Sequence, residues 1–221
     1  VALFDDRSHA GRQLAQELSE YAERTDVLVL ALPRGGVPVA FAVARALNAP
    51  LDVFLVRKLG VPGHEELAMG AIASGGVRVL NDDVVNALHI SEETLDRVTQ
   101  KERQELERRE RLYRDGRPEP TIRDQTVILV DDGLATGATM QAAISGVRAH
   151  EPRSIVVAVP TAAPETCRAM EERVDRIVCA ITPQPFVGVG FWYTDFAQTT
   201  DEEVRTLLAR ATQPATAGET S

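Results

Sequence analysis

The chain has 221 residues, 44% hydrophobic and 26% charged, with a formal net charge of −9 at pH 7. This length suits one domain with elaborations, the composition is ordinary globular usage, and no apolar run reaches the roughly 18 residues of a membrane span. The acidic balance argues against non-specific binding to nucleic acid or an anionic membrane, which normally rests on a basic surface.

The start, VALFDDRSHAGRQL, lacks the basic-then-apolar layout of a secretion signal, so a soluble, cytoplasmic protein is expected. It also lacks Met, as a trimmed end would, and an origin within a larger fusion is compatible with it. Ser8 is expected to cap a helix running to about Arg24, with Leu14 and Leu18 on one face. VLVLAL (27–32) followed by PRGG reads as a buried strand ending in a loop, VPVAFAVARALN (37–48) as a helix and LDVFLV (51–56) as a second buried strand. Strand, loop, helix, strand is a βαβ unit, so the expected architecture is a parallel sheet with right-handed crossovers.

From Arg57 to about Asn81 the sequence departs from this pattern, with LAMGAIA and VRVL as short strands of a hairpin. A helix from Asp82 to Leu88 follows. Ser91 or Thr94 then caps a long charged segment, SEETLDRVTQKERQELERRERLYRDGR. Its apolar positions are sparse (Leu95, Val98, Leu106, Leu112), so it reads as a solvated helix laced with ion pairs, with a subunit contact or lid support as the lesser reading. The parallel pattern resumes with TVILV (126–130), a helix from about Thr139, SIVVAVP (154–160), a helix around Glu165–Arg173 and RIVCAI (176–181). Cys167 and Cys179 are too few for a disulfide framework or a zinc site and are expected to be reduced, buried fillers. Then come an irregular segment, PQPFVGVGFWYTDFAQ, a short helix from Asp201 and a tail expected to be frayed.

The chemistry concentrates at VILVDDGLATGAT. Ligands of open parallel sheets sit at the carboxyl ends of strands, in loops that lead into helices. Gly133 and Gly137 let successive amides turn inward, the next helix adds its unpaired N–H groups, and Thr136 and Thr139 add hydroxyls: a phosphate cradle without a lysine. The GKS or GKT of a nucleotide-hydrolase loop is absent, and GVG at 188–190 lacks the rest of a dinucleotide fingerprint. Two carboxylates, Asp131 and Asp132, repel a phosphate unless they bind something else, and vicinal sugar hydroxyls, with or without Mg²⁺, satisfy them. The ligand suggested is a sugar 5-phosphate. The plainer alternative is a strand end with a turn cap.

VILVDDGLATGAT resembles the signature of the type I phosphoribosyltransferases: an apolar strand, two acidic residues and a T-G-x-T loop. The resemblance implies an α/β fold with a parallel sheet flanked by helices and a single domain over 1–221. Within it are a core at about 27–181, a hood from about 182–221 with the N-terminal segment, and a flexible loop at about 57–80. It implies 5-phosphoribosyl 1-pyrophosphate (PRPP) as ligand, with Asp131 and Asp132 on the ribose hydroxyls and on Mg²⁺, partly through PRPP or water. Ala135, Thr136, Gly137, Ala138 and Thr139 surround the 5-phosphate, and Gly133 belongs to the same implied PRPP-binding set. Family members bind pyrophosphate after the first core strand with backbone amides, often around an unusual peptide bond; here that place holds Arg34, Gly35 and Gly36. Orotate-type members open a closing loop with an Arg-Lys pair, matched by Arg57 and Lys58, so the implied catalytic set is Asp131, Asp132, Arg57 and Lys58.

Two departures limit the match. Val61 stands where another lysine is expected, leaving only His64 nearby. Ala135 stands where hypoxanthine-type members carry an acid, which is closer to adenine-type members but does not fix the acceptor. Acceptor choice lies in the hood, where Phe186, Phe191, Trp192, Tyr193 and Phe196 cluster in a chain with 5% aromatics. Trp192 and Tyr193 are the candidates to stack a planar heterocycle, against plain core filling. The implied activity is Mg²⁺-dependent transfer of the phosphoribosyl group to a nucleobase or similar acceptor, within nucleotide metabolism, releasing pyrophosphate. A PRPP-sensing regulator without turnover is the alternative, disfavoured by the retained Arg34, Arg57 and Lys58. A homodimer is common in the resembled family.

Overall fold

In the computed structural model, which describes residues 3–212, the chain alternates helices and strands as a parallel α/β protein with one antiparallel insertion. Helix α1 (Arg7–Glu17) comes first. Its cap is Asp6, whose carboxylate accepts from the His9 amide at 2.7 Å, and not Ser8. Asp6 has the extended backbone that a cap requires, whereas Ser8 already lies inside the first turn. The helix is shorter than expected and passes into a 3₁₀ turn at Ser19–Tyr21.

Strand β1 (Val27–Ala31), helix α2 (Gly36–Leu47) and strand β2 (Leu51–Val53) form the first βαβ unit. After the insertion the pattern resumes with β6 (Thr126–Val130), α5 (Ala138–Arg148), β7 (Ser154–Thr161), α6 (Pro164–Glu171) and β8 (Arg176–Ile181), and α7 (Asp201–Ala211) follows. The sheet runs β2-β1-β6-β7-β8 with every pair parallel. β1 and β6 are buried along their whole length because helices cover both faces. Alternate residues divide between two cores: Val27, Val29, Ile128 and Val130 pack with α1, α2 and α7, whereas Leu28, Leu30, Val127 and Leu129 pack with α5 and α6. Each fully buried aliphatic side chain contributes roughly 1.5–3 kcal/mol.

The insertion is a three-stranded antiparallel sheet of β3 (Val56–Val61), β4 (His64–Ala73) and β5 (Val77–Leu80). LDVFLV is therefore not one strand. β2 stops at Val53, and Leu55 and Ser74 then bond reciprocally, the Leu55 amide to Ser74 Oγ and the Ser74 amide to the Leu55 carbonyl, each at 2.9 Å. That exchange closes the base of the insertion.

Helix α3 (Asp82–Ala87) precedes α4 (Glu92–Arg114), which is capped by Ser91 through the Thr94 amide. α4 is more than a solvated helix. Leu95, Leu106 and Tyr113 are buried in the core, and Tyr113 donates to Asp201 Oδ1 at 2.6 Å. Burial first, and then Asp201, push the Tyr113 phenol up to about 12. The expectation of free thiols is overturned as well: Cys167 on α6 and Cys179 on β8 form a disulfide, their Cα atoms 6.8 Å apart, because α6 packs back on the strand that follows it. Among the described residues no helix is long and apolar enough to cross a membrane. The tail from 213 onward lies outside the described residues.

Candidate functional site

β1 and β6 are neighbours, so their carboxyl ends deliver two loops to one place. The Leu32 amide donates to the Val130 carbonyl at 2.9 Å, drawing the PRGG loop against the acid pair. Contact is close enough to require glycine. A Cβ at Gly36 would lie 2.7 Å from the Val130 carbonyl oxygen and 2.9 Å from Asp131 Cα, and one at Gly35 would run into the Asp132 carboxylate. The Pro33–Arg34 peptide is cis.

The two aspartates have different surroundings. Asp131 Oδ1 accepts from the Asp132 amide at 2.8 Å, and burial, reinforced by the neighbouring Asp132 charge, raises its pKa well above the carboxylate range. Asp132 is also raised by burial, but the Arg7 guanidinium opposes the shift. Arg7 Nε donates to Asp132 Oδ2 at 2.9 Å and Nη1 to the Ala197 carbonyl at 2.7 Å, with the guanidinium 3.9 Å from the centre of the Phe196 ring. Tyr193 completes the arrangement by donating to the Asp132 carbonyl at 2.6 Å.

Beyond the acids, the loop is anchored on its sheet side. The Leu134 amide donates to the Thr161 carbonyl, Thr166 Oγ1 to the Ala135 carbonyl at 2.6 Å, and Gly137 packs on Met170 and Thr166 of α6. Gly137 takes φ 75 and has no side chain with which to cap α5. The first turn of α5 therefore has no side-chain cap, and it starts beside exposed Ala135, Thr136, Ala138 and Thr139.

The basic residues separate into groups. Arg34 Nη1 lies 3.9 Å from Asp201 Oδ1 at the start of α7. Arg57 is held by Glu102 of α4 through Nε and Nη2 at 2.8 and 2.6 Å, and exposed Lys58 lies 3.5 Å from Glu66. Arg57 and Lys58 nevertheless line, with Thr139, one cavity of about 690 Å³ that Arg97 and Lys101 also border.

At the C-terminal segment the two aromatic candidates part company. Tyr193 is 5% exposed, its ring packed against Phe4 and Phe196 at 5.4 and 4.9 Å between centroids. A ring so covered leaves no face for a heterocycle, so Tyr193 packs the segment instead of stacking a ligand. Trp192 is half-buried, edge-on to exposed Phe191, and its Nε1 is buried with no hydrogen-bond partner among the described residues. The N-terminal segment joins this cluster, the Thr194 and Asp195 amides donating to the Phe4 and Asp5 carbonyls.

Arg7 was not anticipated from the sequence. Its only signal there is a basic residue after Asp5–Asp6, and its partner Asp132 is 125 positions away.

A model of the phosphoribosyl transferase domain family matches residues 4–193. The chain is 50% identical over 211 residues to a Mycobacterium tuberculosis H37Rv protein named "Putative phosphoribosyl transferase Rv0571c", the match covering 96% of this chain and 47% of that protein. The strain CDC 1551 protein MT0597 matches equally. The chain thus spans about half the length of the curated relatives it matches. The crystal structure of TT1426 from Thermus thermophilus superposes with a TM-score of 0.83 at 43% identity, covering 94% of this chain and 98% of that one.

Proposed function

Because the chain belongs to the phosphoribosyl transferase domain family, we propose that it moves the 5-phosphoribosyl group of PRPP to a nitrogenous acceptor and releases pyrophosphate. The observation that supports this best is the meeting of the PRGG backbone with Asp131 and Asp132 beside the uncapped start of α5. In this reading Asp131 and Asp132 accept from the ribose 2- and 3-hydroxyls. The run from Ala135 to Thr139 holds the 5-phosphate, and Arg34, Gly35 and Gly36 hold the pyrophosphate. Breaking the bond from C1 to pyrophosphate develops positive charge on the ribose, which nearby carboxylates stabilise, and positioned donors and cations take up charge on the leaving group. No protein nucleophile is needed. Residues 57–80 serve as a lid carrying Arg57 and Lys58, and the hood, with Trp192 at its edge, faces a nucleobase or similar heterocycle.

The acid pair offers hard oxygen donors, which suit Mg²⁺. Among the described residues no group of three or more His, Cys, Asp or Glu is placed to hold an ion, so Asp131 and Asp132 fit an ion shared with substrate oxygens. When bound, Mg²⁺ would offset negative charge on the departing pyrophosphate.

One observation favours a PRPP sensor without turnover: Arg57 and Lys58 are already engaged by Glu102 and Glu66. Incubation with PRPP, Mg²⁺ and a panel of purines, pyrimidines and other heterocycles separates the readings. Acceptor-dependent pyrophosphate release is expected. PRPP binding without release under any acceptor would establish the sensor, and no binding would defeat both.

A further inference from the structure

Asp132 does not hold its own orientation. The Tyr193 hydroxyl fixes its backbone, and the Arg7 guanidinium Nε claims one oxygen of its carboxylate at 2.9 Å. The Arg7 side chain is 11% exposed. It satisfies three partners at once: a carboxylate in the phosphate loop, the Ala197 carbonyl in the C-terminal segment and the face of Phe196. A planar fork whose donors are spread over three nitrogens suits this arrangement, whereas lysine's compact ammonium has no plane to lay on the ring while its donors reach two separate acceptors. The charged or titratable groups around Asp132 are Asp131 from its own loop, Arg7 from α1 and Tyr193 from the C-terminal segment.

From this geometry we infer that Arg7 is a positioning residue for sugar binding: it sets the Asp132 carboxylate for the ribose hydroxyls and ties that setting to the placement of the C-terminal segment. The inference rests on the proposed phosphoribosyl reading. Arg7 acts through Asp132 and touches no part of the sugar phosphate itself. The 5-phosphate cradle, anchored by Thr166 and the Thr161 carbonyl, is built without it.

Titration calorimetry with two probes, ribose 5-phosphate and inorganic phosphate, tests this in the presence of Mg²⁺. Arg7→Met is expected to weaken ribose 5-phosphate tenfold or more while inorganic phosphate stays within twofold of the parent chain. Arg7→Lys, the variant least disturbing to the fold, is expected to recover part of that loss, to about threefold below the parent. Unchanged ribose 5-phosphate affinity in both variants would overturn the inference, as would equal loss of both probes, which marks general structural damage. If Arg7→Met does not fold, Arg7→Lys decides alone: a selective loss of ribose 5-phosphate upholds the inference and parent-like affinity overturns it. A parent chain that binds PRPP but not ribose 5-phosphate would overturn this inference alone, failure to bind either would sink the phosphoribosyl reading with it, and failure in the variants' comparison leaves that reading intact.

Discussion

The burial of the two aspartates is a cost that Arg7 offsets in part at Asp132 and that no side chain offsets as directly at Asp131. Asp131 is pushed upward by desolvation first and by Asp132 second, so its charge opposes folding in the free protein. Asp131→Asn combined with Asp132→Asn is therefore expected to abolish PRPP binding and turnover while leaving the circular dichroism spectrum unchanged. Because Asp132→Asn also removes the carboxylate that pairs with Arg7, the variant whose thermal midpoint should not fall is Asp131→Asn alone. The neighbouring glycines are equally constrained. Gly36→Ala places a methyl 2.7 Å from the Val130 carbonyl oxygen, a backbone atom that cannot rotate away. It should cost about 1–3 kcal/mol in urea titration, the usual penalty of overpacking, and weaken PRPP binding as the two loops are forced apart. The acid pair and the glycines were legible because the motif is local: strand, acids and cradle are consecutive. Arg7 and the Tyr193 hydroxyl were not, since each reaches the acids from a distant part of the chain.

Among the elements, strands were read best where burial on both faces writes an unbroken apolar run, as in VLVLA and TVILV. The insertion was read less well. β3 is a mixed sequence, VRKLGV, whose strand character comes from pairing with β4 rather than from its own pattern. α4 misled for the opposite reason, its many charges masking a narrow buried face. Leu106→Ala tests that face: a side chain 1% exposed should lose about 2–5 kcal/mol of stability in urea titration, where a solvated position would lose almost nothing. Asp26, at the entry to β1, gives a test by pH. It receives hydrogen bonds from Arg24, Arg153 and Thr126, and the Arg24 bond chiefly lowers its pKa from 3.8 to about 2. A lowered carboxylate stabilises the fold above its unfolded value and stops doing so as pH falls from 3.8 through about 2. Asp26→Asn should lower the thermal midpoint at pH 7, with the difference from the parent chain shrinking across that window.

At the scale of the molecule, the sheet puts the loop after β6 in place, and the segments around Phe4–Arg7 and Trp192–Ala197 meet beside it. Phe4 is 1% exposed, pairs with Tyr193 and has no expected contact with ligand. Phe4→Ala should lower stability by about 3–5 kcal/mol and, if it loosens the strap that carries Tyr193 and Phe196, also weaken ribose 5-phosphate binding in calorimetry. The parallel architecture was legible from alternating runs of strand and helix, but the joining of these segments was not, because no periodicity records a partner so far along the chain.

That joining sets an order on biosynthesis. Phe4 and Arg7 leave the ribosome long before Tyr193 and Ala197, so a nascent chain that has already laid down β1 and β6 still has Asp132 without its clasp. The Asp132 carboxylate gains its full set of partners only when translation has passed Ala197.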